Sequence, residues 1–202
     1  MQTSTLSSLI EETINKAYTY QEYRTLTHQL AEEGKTTGPD QSENLVQFSQ
    51  LNDKRMKRLD KTIKIDSEAA EKLNAVQKKI IWLVITEAWC GDASQSMPVL
   101  KKLADTNPNF EMKVILRDEN EELMNNFLTN GGKSIPKVIF YEVDTKTVLH
   151  DWGPRPTEAT NMVKAYKEEH GKLTPEFKQD LQQWYNKNKG KAITEDIVKL
   201  LT

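Results

Sequence analysis

The sequence predicts an α/β fold in which helices flank a mixed β-sheet. Residues 80–85 form a continuous apolar run rich in β-branched side chains, which is typical of a strand covered on both faces. Strand-like and helix-like segments alternate after this run, and amphipathic helical segments lie at both ends of the chain. We therefore expect a domain over residues 65–170, a helical N-terminal extension over residues 1–64 packed on it, and C-terminal helices over residues 171–202.

The first third of the chain has the periodicity of helices. Thr19 and Glu22 have the spacing of a capping box, which predicts a helix from Tyr20 to near Gly34. A second helix is predicted to begin after Asp40, with an apolar stripe formed by Leu45, Phe48, Leu51, Met56 and Leu59. Both helices are amphipathic, so each needs a surface against which to bury its apolar side.

The elements after residues 80–85 set the order of the sheet. A helix around Met97 comes first, followed by a strand over residues 110–116 and a helix over residues 119–128. Strands over residues 138–143 and 147–152 are separated by three residues and are predicted to form a hairpin. The order strand, helix, strand, helix, hairpin, helix predicts a mixed sheet with a parallel centre.

Helices are predicted to close the chain. The first covers residues 157–170 and ends at Gly171, a residue that suits the left-handed turn after a helix. The next begins at Thr174 and Pro175, an N-cap residue followed by proline at the first helical position, and runs to about residue 188. A last helix is predicted over residues 194–201.

Composition and charge exclude several classes of function. The 28 basic and 30 acidic residues give a net charge of −2, without the basic surplus of a nucleic-acid-binding surface. The locally basic stretch 54–64 lacks aromatic residues for base stacking and is expected to be a solvated helix face. We expect no membrane span and no secretory signal, because no apolar segment has the required length or flanks. A single cysteine is typical of a reducing compartment, so a cytoplasmic location is predicted.

Cys90 is the residue most suited to chemistry. It lies between the predicted central strand and the helix that follows, where unpaired N–H groups and the helix dipole favour a thiolate. Asp92 opposes this effect by adding negative charge two residues later. Glu87 either adds to that opposition or acts as a base, and the residues alone leave the balance open.

The sequence around Cys90 resembles that of the thioredoxin superfamily. Trp89-Cys90-Gly91 is similar to the opening of the thioredoxin motif Trp-Cys-Gly-Pro-Cys, and Ile135-Pro136 is similar to the loop whose cis proline faces the attacking cysteine. Residues 151–156, Asp-Trp-Gly-Pro-Arg-Pro, resemble a stretch of bacterial thioredoxin-like proteins that carry Trp-Cys-Gly-Asp and a helical N-terminal extension. The resemblance implies a thioredoxin-like fold over roughly residues 65–170.

The resemblance also implies roles for individual residues. Cys90 would be the attacking thiol, and the backbone of Ile135 beside Pro136 would pair with a substrate strand. The remaining predicted substrate-binding residues are Trp89, Gly91 and Asp92. Glu87 and Arg155 would tune the site, and Arg155 is equally suited to bind an anionic ligand or thiol carboxylate and to form a surface salt bridge.

Two departures from the thioredoxin pattern limit the chemistry. Ala93 stands where thioredoxins have the second cysteine, so the chain cannot close an internal disulfide. Val84 stands where they have a buried acid that assists proton transfer involving that second thiol. Both changes are consistent with a site that retains only the attacking thiol.

These observations lead to one main hypothesis and two alternatives. The main hypothesis is a thiol-disulfide oxidoreductase that acts as a monothiol through Cys90 and forms mixed disulfides with a protein or small-molecule thiol. A non-catalytic peptide-binding module that uses the cis-proline groove is the first alternative. Iron–sulfur binding, as in monothiol glutaredoxins, is disfavoured because their Cys-Gly-Phe-Ser motif differs from that of this chain. No cofactor is expected, and the dispersed histidines predict no metal site.

Overall fold

A five-stranded mixed sheet forms the centre of the molecule. A computed structural model describes residues 2–202, with side chains from residue 6 onward. The strands are β1 (Tyr18–Thr19), β2 (Ile80–Thr86), β3 (Phe110–Leu116), β4 (Lys137–Glu142) and β5 (Thr147–Trp152). Their order is β1-β3-β2-β4-β5; β2 and β3 are parallel, and the other neighbours are antiparallel. The predicted fold class, a mixed sheet with a parallel centre and flanking helices, is confirmed.

Helices cover the sheet and extend beyond it at both ends of the chain. They are α1 (Gln2–Ile14), α2 (Tyr20–Glu32), α3 (Glu43–Thr62), α4 (Ser67–Asn74), α5 (Gly91–Ala104), α6 (Glu121–Met124), α7 (Thr157–His170), α8 (Pro175–Asn188) and α9 (Lys191–Leu201). None of the helices described is both long and apolar enough to cross a bilayer.

The predicted helix starts at Thr19 and Thr174 are confirmed. Thr19 Oγ1 accepts a hydrogen bond of 3.2 Å from the Glu22 amide, and Glu22 returns one by accepting from the Thr19 amide at 2.7 Å. Thr174 Oγ1 accepts from the amide of Phe177 at 3.2 Å. These bonds satisfy backbone donors that have no partner inside the helix, which is why the caps mark the starts.

The predicted helix over residues 119–128 is wrong. A short 3₁₀ turn, Arg117–Glu119, and the single-turn α6 occupy this segment. Asn120 separates the two pieces with φ −129° and ψ 46°, and its side-chain amide donates to the carbonyl of Leu116 at 2.8 Å. This local bond offers the backbone an alternative to continued helix. The helix α4 and the two-residue strand β1 were not predicted, since each is too short to show a clear period.

The predicted apolar stripe of α3 is only partly buried. Met56 and Leu59 lie in the core, whereas Phe48 and Leu51 are 52% and 51% exposed. The N-terminal half of the helix buries polar side chains instead, namely Ser49, Asn52 and Asp53. Two of them have clear polar partners. Asp53 pairs with Arg24 of α2, and the Asn52 amide donates a hydrogen bond to the carbonyl of Ala88, just after β2.

One hydrophobic core draws on every part of the described chain. Trp82 of β2 is fully buried, with the rings of Phe110 and Phe140 at 5.3 and 5.1 Å, and Trp152 is also buried, so both tryptophans are core residues. Side chains from the first and last helices, such as Ile10 and Ile197, join the same cluster. The terminal helices therefore complete the core around the sheet.

Candidate functional site

Cys90 is the N-cap residue of α5, directly after the central strand β2. Its Sγ accepts a hydrogen bond of 3.4 Å from the amide of Ala93, and its thiol donates to the carbonyl of Ile135 at 3.3 Å. The bond between Ile135 and Pro136 is cis. Strand and helix thus bring together three of the residues that the sequence singled out, Cys90, Ile135 and Pro136.

Burial dominates the protonation of Cys90. The residue is only 7% exposed, and burial, together with the nearby negative charge of Asp92, raises the pKa of its thiol to about 12. The amides of Ala93 and Asp92 and the cation of Arg155 act in the opposite direction but do not compensate. The expectation that the helix start favours a thiolate is therefore overridden here, because desolvation disfavours the charged form more strongly.

Asp92 lies at the centre of a small polar network beside the thiol. Its carboxylate accepts a bond of 2.7 Å from Arg155 Nη2 and one of 3.1 Å from the hydroxyl of Tyr185. Burial raises the pKa of Asp92, and the Arg155 and Tyr185 contacts oppose the rise. Arg155 therefore acts first as the counterion of Asp92, which places both predicted residues at the site.

Helix α8 covers the start of α5. A Cβ atom added to Gly91 would lie 3.4 Å from Nε2 of Gln182, so the Gln182 amide sits directly over this glycine. Gln182 Oε1 also accepts a bond of 3.0 Å from Gln95, and Tyr185 reaches Asp92 from the same helix. The sequence did not predict this contact between α8 and α5. The four-residue spacing of Phe177, Leu181 and Tyr185 indicates a buried face, but it does not identify what that face contacts.

Glu87 is fully buried, but its carboxylate is engaged by residues other than Cys90. The hydroxyl of Thr37 donates to Oε2, and the amide of Asp118 donates to Oε1 at 2.9 Å. Thr37 Oγ1 in turn accepts from the amide of Ala88 at 2.9 Å. Burial raises the pKa of Glu87. This carboxyl ties the loop between α2 and α3 to the ends of β2 and β3, and the structure does not bring it onto the thiol.

Trp89 lies at the rim beside Cys90 and is half-buried. The guanidinium of Arg117 stands over its ring at 4.9 Å from the ring centroid, within the range of a cation–π contact. Arg117 is itself held by a 2.8 Å bond from Nε to Asp118. The guanidinium therefore covers one face of the indole of the residue that precedes Cys90.

The two departures from the thioredoxin motif are both buried. Ala93 lies in the first turn of α5, with its amide directed at Cys90 Sγ, and Val84 is fully enclosed in β2. Neither side chain can transfer a proton, so an internal disulfide cycle has no second thiol and no buried acid at these positions. Within residues 2–202, no three His, Cys, Asp or Glu side chains are grouped so that they could hold a metal ion.

Comparison with known proteins identifies the family of this chain. The family model described as Thioredoxin matches residues 38–167, more than half of the chain. The chain belongs to the thioredoxin family. The matched region starts in the loop that carries Thr37 and Gly38 and therefore includes α3.

Two solved structures have a similar fold. One is a protein of unknown function from Pseudomonas aeruginosa, with a TM-score of 0.57 and 16% identity over 91% of this chain and 96% of that one. The other is an HIV epitope-scaffold with a TM-score of 0.56 and 16% identity, covering 91% of this chain and 97% of the scaffold. At this identity the likeness concerns the fold alone. No match was found among curated proteins.

Proposed function

We propose that this thioredoxin-family protein is a monothiol thiol-disulfide oxidoreductase that acts through Cys90. The observation that carries the proposal is the position of Sγ, held between the Ala93 amide at the start of α5 and the Ile135 carbonyl beside a cis proline. A sulfur at a helix start has backbone donors available for its negative charge. The replacement of the second cysteine by Ala93 restricts the chemistry to mixed disulfides.

The proposed reaction balances with an external disulfide. The Cys90 thiol releases its proton to solvent, and the thiolate attacks one sulfur of the partner disulfide. The partner S–S bond breaks, a new bond forms to Cys90, and the second partner sulfur leaves as a thiolate. A thiol from solution then attacks the mixed disulfide and returns Cys90 to its reduced form. The partner is a protein or low-molecular-weight disulfide, and we place the reaction in the cytoplasm because the chain has a single cysteine.

The covered thiol defines a resting state in this proposal. With its pKa near 12, Cys90 is protonated at neutral pH while α8 lies over Gly91. Exposure of the sulfur to water would remove the main cause of the raised pKa, since burial is the largest contribution. Reaction therefore requires movement of the side chains that cover the start of α5.

Glutathione disulfide tests the proposal directly. We expect the purified protein at pH 8 to acquire one glutathione per chain, detected by intact-protein mass spectrometry and removed by dithiothreitol. The Cys90→Ser variant should remain unmodified, and since serine differs only in the chalcogen atom, it is the matched control. Absence of an adduct in the native protein, with rapid modification only after unfolding in urea, would refute the monothiol function.

Burial of the thiol favours a second candidate, a non-catalytic peptide-binding module. Here Cys90 would be a core residue, and the segment before Pro136 would pair with an extended peptide. The two candidates differ in their need for sulfur. In cells from which the gene has been deleted, Cys90→Ala should reverse the deletion phenotype as the native protein does if the protein only binds peptides. It should fail to reverse that phenotype if the protein acts as a monothiol.

A further inference from the structure

A cavity of about 380 Å³ lies between α3, α5 and the junction of α8 with α9. Its wall combines apolar side chains with positive and amide ones, and none of the described residues that line it carries a carboxylate. The lining residues that matter for its chemistry are Arg58, Lys64, Gln95, Tyr185, Asn186 and Lys189.

The three cations of this cavity have no ionic partner among the side chains of residues 6–202. Within the described part of the chain, Arg58, Lys64 and Lys189 form no ion pair, whereas other lysines of the surface do, such as Lys72 with Glu68 at 2.6 Å. The hydrogen bond that Arg58 makes to a described residue runs from Nη2 to Asn186 at 2.8 Å, which leaves further N–H donors of the guanidinium available. The cavity is therefore a concave surface with uncompensated positive charge.

Arg55 adds positive charge beside α5. Its Nη1 donates to Asn52 at 2.7 Å and to Ser94 of α5 at 2.8 Å, both neutral groups. Burial and the charge of Arg58 lower the pKa of Arg55, and the negative charge of Asp92 only partly opposes them. An anion near Arg58 would relieve this repulsion.

The cavity adjoins the turn that carries the thiol. Tyr185 forms part of its wall, and the hydroxyl of the same residue donates to Asp92, two residues after Cys90. Gln95, one turn further along α5, lines the cavity as well. A molecule seated there would touch Gln95 and Tyr185, which bond to Gln182 of α8 and to Asp92 at the start of α5, respectively.

We propose that this cavity binds the negatively charged group of a low-molecular-weight disulfide and thereby selects anionic partners for Cys90. Anion binding by Arg58 and Lys189 stands independently, whereas the selection of partners rests on the proposed monothiol function. Arg58 supplies the directional donors that a carboxylate or phosphate accepts, and the lysines add charge.

Binding is measured first in a protein that cannot react. Calorimetry of Cys90→Ser with glutathione disulfide, and separately with pyrophosphate, should detect binding of at least one probe. Arg58→Gln and Lys189→Gln in this background should each weaken it about tenfold, the effect of losing one hydrogen bond to a charged group. Lys54→Gln is the matched control, since this exposed lysine lies on α3 outside the cavity and its loss changes the net charge equally.

Equal affinity in Arg58→Gln and Lys54→Gln, or no binding of either probe, would overturn the anion site. Selection is measured on the reactive protein with glutathione disulfide and with cystamine, a disulfide that carries positive charge. Arg58→Gln should slow the first reaction about tenfold and leave the second unchanged. If Cys90 reacts with neither disulfide, the monothiol function fails, while calorimetry on the serine variant still decides the anion site. Equal slowing of both reactions would contradict selection by charge.

Discussion

At Cys90, two effects of opposite sign compete for the same proton. The start of α5 offers the amide of Ala93 to the sulfur, an interaction that favours the thiolate. Enclosure by the protein and the charge of Asp92 favour the thiol and prevail, with a pKa near 12. At pH 7 such a group is almost entirely protonated, so the resting protein should react slowly with alkylating agents.

Removal of the Asp92 charge should lower the pKa of Cys90. In Asp92→Asn the negative charge disappears, and Arg155 loses its counterion and becomes available to the thiolate. A thiol ionises as pH rises, so a lower pKa means more thiolate at neutral pH, and we expect iodoacetamide to react about tenfold faster at pH 7. The measurement is the alkylation rate between pH 6 and 10.

Asp105→Asn provides the matched control for this change. Asp105 is exposed at the opposite end of α5 and pairs with Lys101, so its loss changes the net charge equally but far from the sulfur. The pH profile of that variant should overlay the native one. A native profile that levels off near pH 8.5, the range of a free cysteine, would show that the enclosed thiol is not the reacting species.

At the scale of elements, α8 packs over the start of α5, the helix that Cys90 caps. Its contacts with the start of α5 are polar, since Gln182 bonds Gln95 at 3.0 Å and Tyr185 bonds Asp92 at 3.1 Å. Individual polar contacts of this kind contribute about 1 kcal/mol each to stability, so the Gln182 side chain can move away while Phe177, Leu181 and Tyr185 stay in the core.

The Gln182→Ala variant should therefore react faster at Cys90. It removes the amide above Gly91 together with the bond to Gln95, and we expect alkylation at pH 7 to accelerate about fivefold, the effect of losing about 1 kcal/mol of closure. Gln183→Ala removes the same type of side chain from the exposed face of the same helix and should react like the native protein. Identical rates for all three proteins would show that α8 does not limit access.

Local sequence patterns predicted some of the helices and strands, but not the contacts between them. The strand over residues 80–85 and the cap at Thr174 depend on local chemistry, and both agree with the structure. The predicted apolar stripe of α3 agrees only in part with the structure. Asn52 and Asp53 are buried there because they bind partners that are distant in sequence, and a local pattern does not show such partners. Tyr185 was not predicted as a site residue for the same reason, since the residue that it contacts, Asp92, lies 93 positions earlier in the sequence. Cys90 was found because motif and helix start coincide.

At the scale of the whole molecule, the segments outside residues 65–170 complete the sheet and its core. Strand β1 pairs with the edge of β3, and Thr37 of the following loop binds Glu87 at the end of β2. From the other end of the chain, α9 buries Ile193 and Ile197 in the same hydrophobic cluster. The predicted division at residues 64 and 170 stays a prediction, and its test is whether the central segment folds alone.

We expect residues 65–170 not to fold in isolation. Without residues 1–64, the edge of β3 would be exposed and the Glu87 carboxyl would lose its hydrogen bond from Thr37. Without residues 171–202, the apolar surface that α9 occupies would be uncovered. The fragment should lack the near-ultraviolet circular dichroism of packed tryptophans and should show no cooperative transition in urea, whereas the full chain should unfold in one transition with the same midpoint by fluorescence and by far-ultraviolet circular dichroism. Adding residues 1–64 as a separate peptide, together with residues 171–202, should restore part of the signal, because the missing groups act through contact rather than connectivity. A cooperative transition of the isolated fragment would mean that residues 65–170 are an independent domain and that the terminal helices are not required for its folding.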